Sequence, residues 1–175
     1  MNSSQGPDNF RQLLIALEPW LDQVVIIGGW AHQLYRLHPY AQELDYSPLT
    51  TIDADVAVPA DLPAGEENIR TRLLARGFKE EFAGDHHPPA THYHLGAGIS
   101  GFYAEFVTPL IGGEYDRKHG RKATREVAGI ASQQLRHIEL LLNHPWSIDF
   151  VVKGSQLGFK LQTQSATWFK RFSSM

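Results

Sequence analysis

The chain has 175 residues, of which 42% are hydrophobic and 20% are charged, and its formal net charge at pH 7 is -3. This length and composition are typical of one soluble globular domain, and the charge excludes whole-molecule attraction to nucleic acid or to a membrane surface. The sequence contains no cysteine, which excludes disulfides and thiolate metal sites.

The N-terminal segment predicts a helix that Asp8 or Asn9 caps. Apolar residues recur after it at helical spacing, namely Phe10, Leu13, Leu14, Leu17 and Leu21. The first ten residues lack the basic and apolar regions of a signal peptide, and no apolar run reaches the ~20 residues of a membrane span. We therefore expect a cytoplasmic protein without membrane contact.

A pair of glycines follows the first predicted strand. Residues 24–27, VVII, form a short apolar run, and Gly28 and Gly29 come directly after it. A helix is predicted over residues 30–37, with Trp30 and Leu37 on one side. Two glycines between a strand and a helix let backbone N–H groups approach a phosphate closely, at the positive end of the helix.

The second predicted strand, TIDADVAV at residues 51–58, carries two aspartates one residue apart. Its alternation puts Ile52, Ala54, Val56 and Val58 on one face and Asp53, Asp55 and Ala57 on the other. Burying carboxylates is costly unless something pairs with them. Two carboxylates on one face suit Mg²⁺, which prefers oxygen ligands and keeps waters that substrate phosphates replace.

The remaining elements complete a mixed pattern. We predict a helix over residues 64–76 closed by Gly77, strands in THYHLG and FYAEFVTPL, and two short strands within residues 147–164. Another helix is predicted with an apolar stripe of Leu135, Ile138, Leu141 and Leu142. This order predicts an α/β or α+β fold with helices flanking a mixed sheet. We expect one domain over residues 1–175, with a core at about 10–142 and a short C-terminal extension at 143–175.

One acid interrupts the apolar strand FYAEFVTPL. Glu105 lies between Ala104 and Phe106. Phosphoryl-transfer sites with two metal ions commonly use a third carboxylate besides an aspartate pair. If this strand neighbours the aspartate strand, Glu105 would lie beside Asp53 and Asp55.

These segments, IIGGWAHQLY, TIDADVAV and FYAEFVTPL in that order, resemble the DNA polymerase β-type nucleotidyltransferase superfamily. The similarity extends to small bacterial members, including the AbiEii-like toxin nucleotidyltransferases, and it covers roughly residues 24–109. The resemblance implies the nucleotidyltransferase fold and a Mg²⁺-dependent transfer of a nucleoside monophosphate from a nucleoside triphosphate to a hydroxyl acceptor, with release of pyrophosphate. The acceptor would be a small molecule, a tRNA or a protein, and a cognate antitoxin would be a partner.

The resemblance also implies roles for particular residues. Gly28 and Gly29 would contact the triphosphate. Asp53, Asp55 and Glu105 would be the catalytic carboxylates and the ligands of two Mg²⁺ ions, which Mn²⁺ could replace. Glu105 would also help to activate the acceptor hydroxyl.

Two further segments carry candidate ligands. The basic segment DRKHGRKATR is either a solvated loop or a clamp for the triphosphate or RNA, and its nucleotide-binding candidates are Lys118, Arg121 and Lys122. The histidines of DHHPPATHYH, namely His86, His87, His92 and His94, are exposed or hydrogen-bonded residues, a zinc site, or a border of the nucleotide pocket.

Several alternatives remain open at this point. The chain could be a catalytically degenerate module that binds a nucleotide or a partner protein, because few residues follow the last clear helix. Asp53 and Asp55 could instead form caps or salt bridges at a strand edge. An aspartate pair of this type also occurs in haloacid-dehalogenase phosphatases, although Ala57 departs from their pattern, and in metal-dependent glycosyltransferases.

Overall fold

The structure is a computed structural model that describes residues 5–41, 45–47, 51–84, 88–96, 101–113, 115–116, 120–121, 123–152 and 155–161. Its α-helices are α1 (Gln5–Ala16), α2 (Gly28–Leu34), α3 (Ile69–Ala75) and α4 (Glu139–Leu142), with short 3-10 helices at Glu18–Trp20 and Tyr35–Leu37. Its strands are β1 (Val25–Ile27), β2 (Asp53–Ala57), β3 (Lys79–Ala83), β4 (Ala90–Leu95), β5 (Phe102–Pro109), β6 (Tyr115–Asp116), β7 (Gly120–Arg121), β8 (Thr124–Val127), β9 (Ile130–Leu135), β10 (Trp146–Val152) and β11 (Ser155–Leu161).

Nine of these strands form one mixed sheet. Seven of them run in the order β10-β11-β1-β2-β5-β4-β3, while β9 pairs with β5 and β8 pairs with β9. The pairs β1 with β11, β2 with β5 and β5 with β9 are parallel, and the other pairs of this sheet are antiparallel. The predicted mixed sheet flanked by helices is confirmed. The two strands predicted within residues 147–164 correspond to β10 and β11, which join the sheet beside β1.

One face of the sheet packs against α1 and α3. The alternate residues of β2 and β5 that point to this face are buried, as are the predicted apolar positions of the first helix. Trp30 of α2 joins this core, because its indole stacks on Phe10 with ring centroids 4.2 Å apart and contacts Phe102 edge to face. This packing fixes α2, and with it the two glycines, against the sheet.

Among the described residues, the opposite face is covered at one end. Val25, Ala57 and Val107 pack there against Ile138, with Leu141 and Leu142 of α4 alongside. Since α4 has four residues, it covers the ends of β2 and β5 that follow the acidic residues and leaves the acidic positions uncovered. The uncovered part of this face therefore carries the polar residues described below.

The prediction of a helix with an apolar stripe beginning at Leu135 is wrong for the first half of that helix. Residues 124–135 form the hairpin of β8 and β9, and helix is present only in α4. Ala128 and Gly129, with φ of 48° and 83°, form its two-residue turn, and two positive φ values suit the tight turns that match strand twist. Leu135, at the end of β9, is 42% exposed.

Other element boundaries also differ from the predictions. The first helix begins at Gln5 rather than Asp8, and the third begins at Ile69, where the Asn68 side chain accepts a hydrogen bond from the Thr71 N–H at 2.8 Å. Leu37 and Ile52, both predicted on apolar faces, are 55% and 43% exposed because each lies just outside the regular part of its element. Strand β3, which is mostly exposed, was not predicted.

Among the described residues, no helix combines the length and the apolar character needed to cross a membrane.

Candidate functional site

The uncovered part of the second sheet face forms a continuous polar surface. In register across β2, β5, β4 and β3, it carries side chains that are partly exposed. We call it the polar face and define it by Asp53, Asp55, Tyr103, Glu105, His92, His94 and Glu81.

The predicted carboxylates meet on this face. In the parallel pairing of β2 with β5, Asp55 lies opposite Glu105, and Asp53 lies opposite Tyr103. On the other side of β2, Asp55 lies opposite Ile27 of β1. The sheet order thus brings Glu105 beside the aspartate pair, as the sequence predicts.

Crowding of these carboxylates has an electrostatic consequence. Burial, together with the neighbouring charges of Asp53 and Glu105, raises the pKa of Asp55 from 3.8 to about 6. Burial and the same two carboxylates also raise the pKa of the Tyr103 phenol. Like charges this close destabilise one another unless a cation neutralises them.

The two glycines are required by their contacts with the site. Gly28 has a φ of +67°, and a Cβ atom added to it would overlap the Asp55 carboxylate. A Cβ atom added to Gly29 would overlap the side chain of Thr51, whose hydroxyl donates a hydrogen bond to the Asp53 carbonyl at 3.2 Å. The glycine pair therefore lets α2 begin directly against the aspartate strand.

The glycines also differ in position from the prediction. They form the first turn of α2 rather than a turn that precedes a helix, and α2 itself has seven residues. A helix this short contributes little dipole of its own, so a phosphate here would depend on the exposed backbone N–H groups of the glycines.

Two histidines extend the site toward the sheet edge. The Nε2 atom of His92 lies 3.1 Å from Oε1 of Glu105, and the Nε2 atom of His94 lies 2.8 Å from Oε2 of Glu81. The Tyr103 ring contacts both imidazoles, whose own centroids are 6.2 Å apart. Tyr103, Thr51 and Glu81 were not predicted as members of this site. The alternation in THYHL was the sequence signal for the position of the histidines. When Thr91 and Tyr93 point into the core, the two histidines point to the opposite face of the sheet.

The family resemblance implies a magnesium ion, and the arrangement of the carboxylate and imidazole groups shows whether the site could hold one. Within the ranges that the structure describes, no three His, Asp or Glu side chains converge closely enough to hold a metal ion. Glu105 is directed to His92 instead of completing a triad with the aspartates. Asp53 and Asp55 alone still fit Mg²⁺, since this ion is commonly held by one or two carboxylates together with waters and substrate phosphates. A zinc site at His92 and His94 receives no support from this arrangement, and His86 and His87 lie outside the described residues.

The basic candidates cannot be assigned to the site. Lys118 and Lys122 lie outside the described residues, and Arg121 is described as part of β7 without its side chain. Arg125 is exposed on β8. Their predicted contact with a triphosphate stays a prediction.

Comparison with known protein families identifies the family of the chain. A protein family described as nucleotidyltransferase matches residues 10–169, which is most of the chain and includes all three carboxylates and both glycines. No curated protein and no solved structure matches the chain. Because the family match extends over far more than half of the sequence, the chain belongs to the nucleotidyltransferase family.

Proposed function

We propose that this protein transfers a nucleoside monophosphate from a nucleoside triphosphate to a hydroxyl group, in a reaction that depends on Mg²⁺. The observation that carries the proposal is the pairing of Asp55 with Glu105 across β2 and β5, beside Asp53 and against Gly28. Nucleotidyl transfer requires several carboxylates near a place where a phosphate can approach the backbone. The family identification favours this reaction over the phosphatase and glycosyltransferase alternatives.

In this proposal each residue has a separate task. Asp53 and Asp55 hold one or two Mg²⁺ ions, and Gly28 and Gly29 leave room for the triphosphate. When bound, Mg²⁺ neutralises phosphate charge and lowers the pKa of the acceptor hydroxyl. The acceptor oxygen forms a bond to the α-phosphorus, the bond from that phosphorus to the bridging oxygen breaks, and pyrophosphate leaves. A carboxylate, for which Glu105 is our candidate, takes the hydroxyl proton.

The proposal specifies the acceptor only as a molecule with a hydroxyl group. Small alcohols, a tRNA and a protein hydroxyl all satisfy the chemistry, and the likeness to toxin nucleotidyltransferases proposes a cognate antitoxin as partner. Lys118, Arg121 and Lys122 are proposed triphosphate contacts, and the proposed location is the cytoplasm.

A second candidate function is nucleotide binding without transfer. It is favoured by one observation, namely that no three potential ligands converge on a metal position in the described part of the chain. The two candidates differ in whether pyrophosphate is released.

Pyrophosphate release from each nucleoside triphosphate, measured with cell extract as the acceptor source, tests the reaction. We expect Mg²⁺-dependent release, and we expect the variant Asp53→Asn/Asp55→Asn to reduce the rate by about 100-fold or more, because it removes charges that act in the transition state. Asp61→Asn is the matched control, since Asp61 is an exposed acid beyond the end of β2. Binding of a nucleotide without release for any of the four would favour the second candidate.

Gly28→Ala tests the contact between the glycine and Asp55. Alanine at φ +67° costs about 1–2 kcal/mol of folding free energy and would also displace the carboxylate. Gly77→Ala is the control, because Gly77 has a φ of +86° but a Cβ atom there would have its nearest contact, the Leu95 Cδ1 atom, at 3.8 Å. We expect both variants to lose similar stability in urea denaturation, and only Gly28→Ala to lose Mg²⁺-dependent nucleotide binding. Equal binding by the two variants would contradict the assignment.

The crowded carboxylates also predict a pH-dependent stability effect. Asp55 ionises near pH 3.8 when unfolded but near 6 when folded, so its ionisation costs stability above pH 6, and the cost disappears as the pH falls to about 4. After allowance for its partial exposure, Asp55→Asn should raise the free energy of unfolding by about 1–2 kcal/mol at pH 7.5. The gain should vanish near pH 4. Denaturant titrations without metal, with Asp61→Asn as control, check this, and a destabilised Asp55→Asn at neutral pH would contradict it.

A further inference from the structure

Glu105 has a specific partner on the polar face besides the aspartates. Its Oε1 atom lies 3.1 Å from Nε2 of His92, and the two side chains are 22% and 28% exposed. At this distance an imidazole N–H can donate to the carboxylate, and partial burial makes such a contact stronger than one on an open surface. One oxygen of the carboxylate that would complete a metal triad is thus already in contact with His92.

His92 is itself held in place by neighbouring rings. Its imidazole stacks on Tyr103, with ring centroids 5.4 Å apart and planes inclined by 29°. Tyr103 also contacts His94, at 5.2 Å between centroids, and the two imidazoles are 6.2 Å apart. His94 lies against Glu81 at 2.8 Å. These contacts among Glu81, His94, Tyr103 and His92 therefore restrain the imidazole that contacts Glu105.

Glu105 consequently faces two competing demands. It lies opposite Asp55 in the sheet, where a cation held by the aspartates would attract it, yet no three ligands converge in the described residues and Glu105 is turned toward His92. Without a cation, repulsion by Asp53 and Asp55 favours the histidine as partner.

We propose, on the basis of the function proposed above, that His92 is a positioning residue that withholds Glu105 from the aspartate pair, so that His92 and the metal ion compete for this carboxylate. Metal binding by the nucleotide-free protein then rests on Asp53 and Asp55. Because Glu105 does not converge with the aspartates on a metal position in the described residues, its recruitment as the third ligand requires its carboxylate to turn from His92 toward them.

The test is Mn²⁺ affinity, measured from the electron paramagnetic resonance signal of free Mn²⁺. His92→Phe keeps a ring beside Tyr103 but removes the donor, and we expect it to bind Mn²⁺ about three- to tenfold more tightly than wild type, the scale of one typical net hydrogen bond. His92→Gln, which retains an N–H donor, should bind nearly as wild type does. His94→Phe is the matched control, because it removes the contact with Glu81 and not the one with Glu105.

The same substitutions in a Glu105→Gln background complete the experiment. If His92 acts through Glu105, His92→Phe should have no effect on Mn²⁺ affinity there. The proposal is overturned if His92→Phe alone binds Mn²⁺ as weakly as wild type or more weakly. It is also overturned if His92→Phe still tightens Mn²⁺ binding when Glu105→Gln is present.

A second measurement uses the wild-type protein. The imidazole ¹⁵N–¹H signals of His92 should shift when Mg²⁺ is added, and should not shift in Asp53→Asn/Asp55→Asn. Identical signals with and without saturating Mg²⁺ overturn the proposal. If the wild-type protein binds neither Mn²⁺ nor Mg²⁺, the proposed function itself fails. If it binds these ions with an affinity that does not change in the His92 variants, only the proposed competition between His92 and the metal ion fails.

Discussion

Repulsion between carboxylates on adjacent strands is the constraint around which this structure is organised. The parallel pairing of β2 with β5 puts Asp55 opposite Glu105, and one residue separates Asp55 from Asp53. Burial and the charges of these two carboxylates together raise the pKa of Asp55 to about 6. A fold selected only for stability would place apolar side chains there, as it does at Ala57 and Val107 one step along the same strands. An arrangement that costs stability and lies on an open face is typical of a site with a function.

The surrounding elements have the geometry that such a site requires. Phe10 and Trp30 anchor α2 on the core side, and Gly28 then lies against the Asp55 carboxylate without a side chain between them. The short helix α4 covers the apolar end of the second face and stops before the acids. No described helix covers the acidic part of the polar face, and the packed core behind it limits how far its carboxylates can separate.

The sequence predicts those parts of the structure that depend on neighbouring residues in the chain. The alternation of DADVA and of YAEFV puts Asp53, Asp55 and Glu105 on defined faces, because side chains of a strand alternate whatever lies beside it. Leu135 was wrongly predicted in a helix because it continues the spacing of the apolar residues in α4, although it is the last residue of β9. The signal for the hairpin that ends there was the Ala128-Gly129 turn. The contact of His92 with Glu105 was not predictable, since it depends on the register between β4 and β5, which no local pattern fixes.

Calorimetric titration with all four nucleoside triphosphates, with and without Mg²⁺, tests the central claim that the aspartate pair forms a metal-nucleotide site. The wild-type protein should bind at least one nucleotide only when Mg²⁺ is present, and Asp53→Asn/Asp55→Asn should not bind it, although Asp61→Asn should. Failure of the wild-type protein to bind any nucleotide, or undiminished binding by the double variant, would contradict the account.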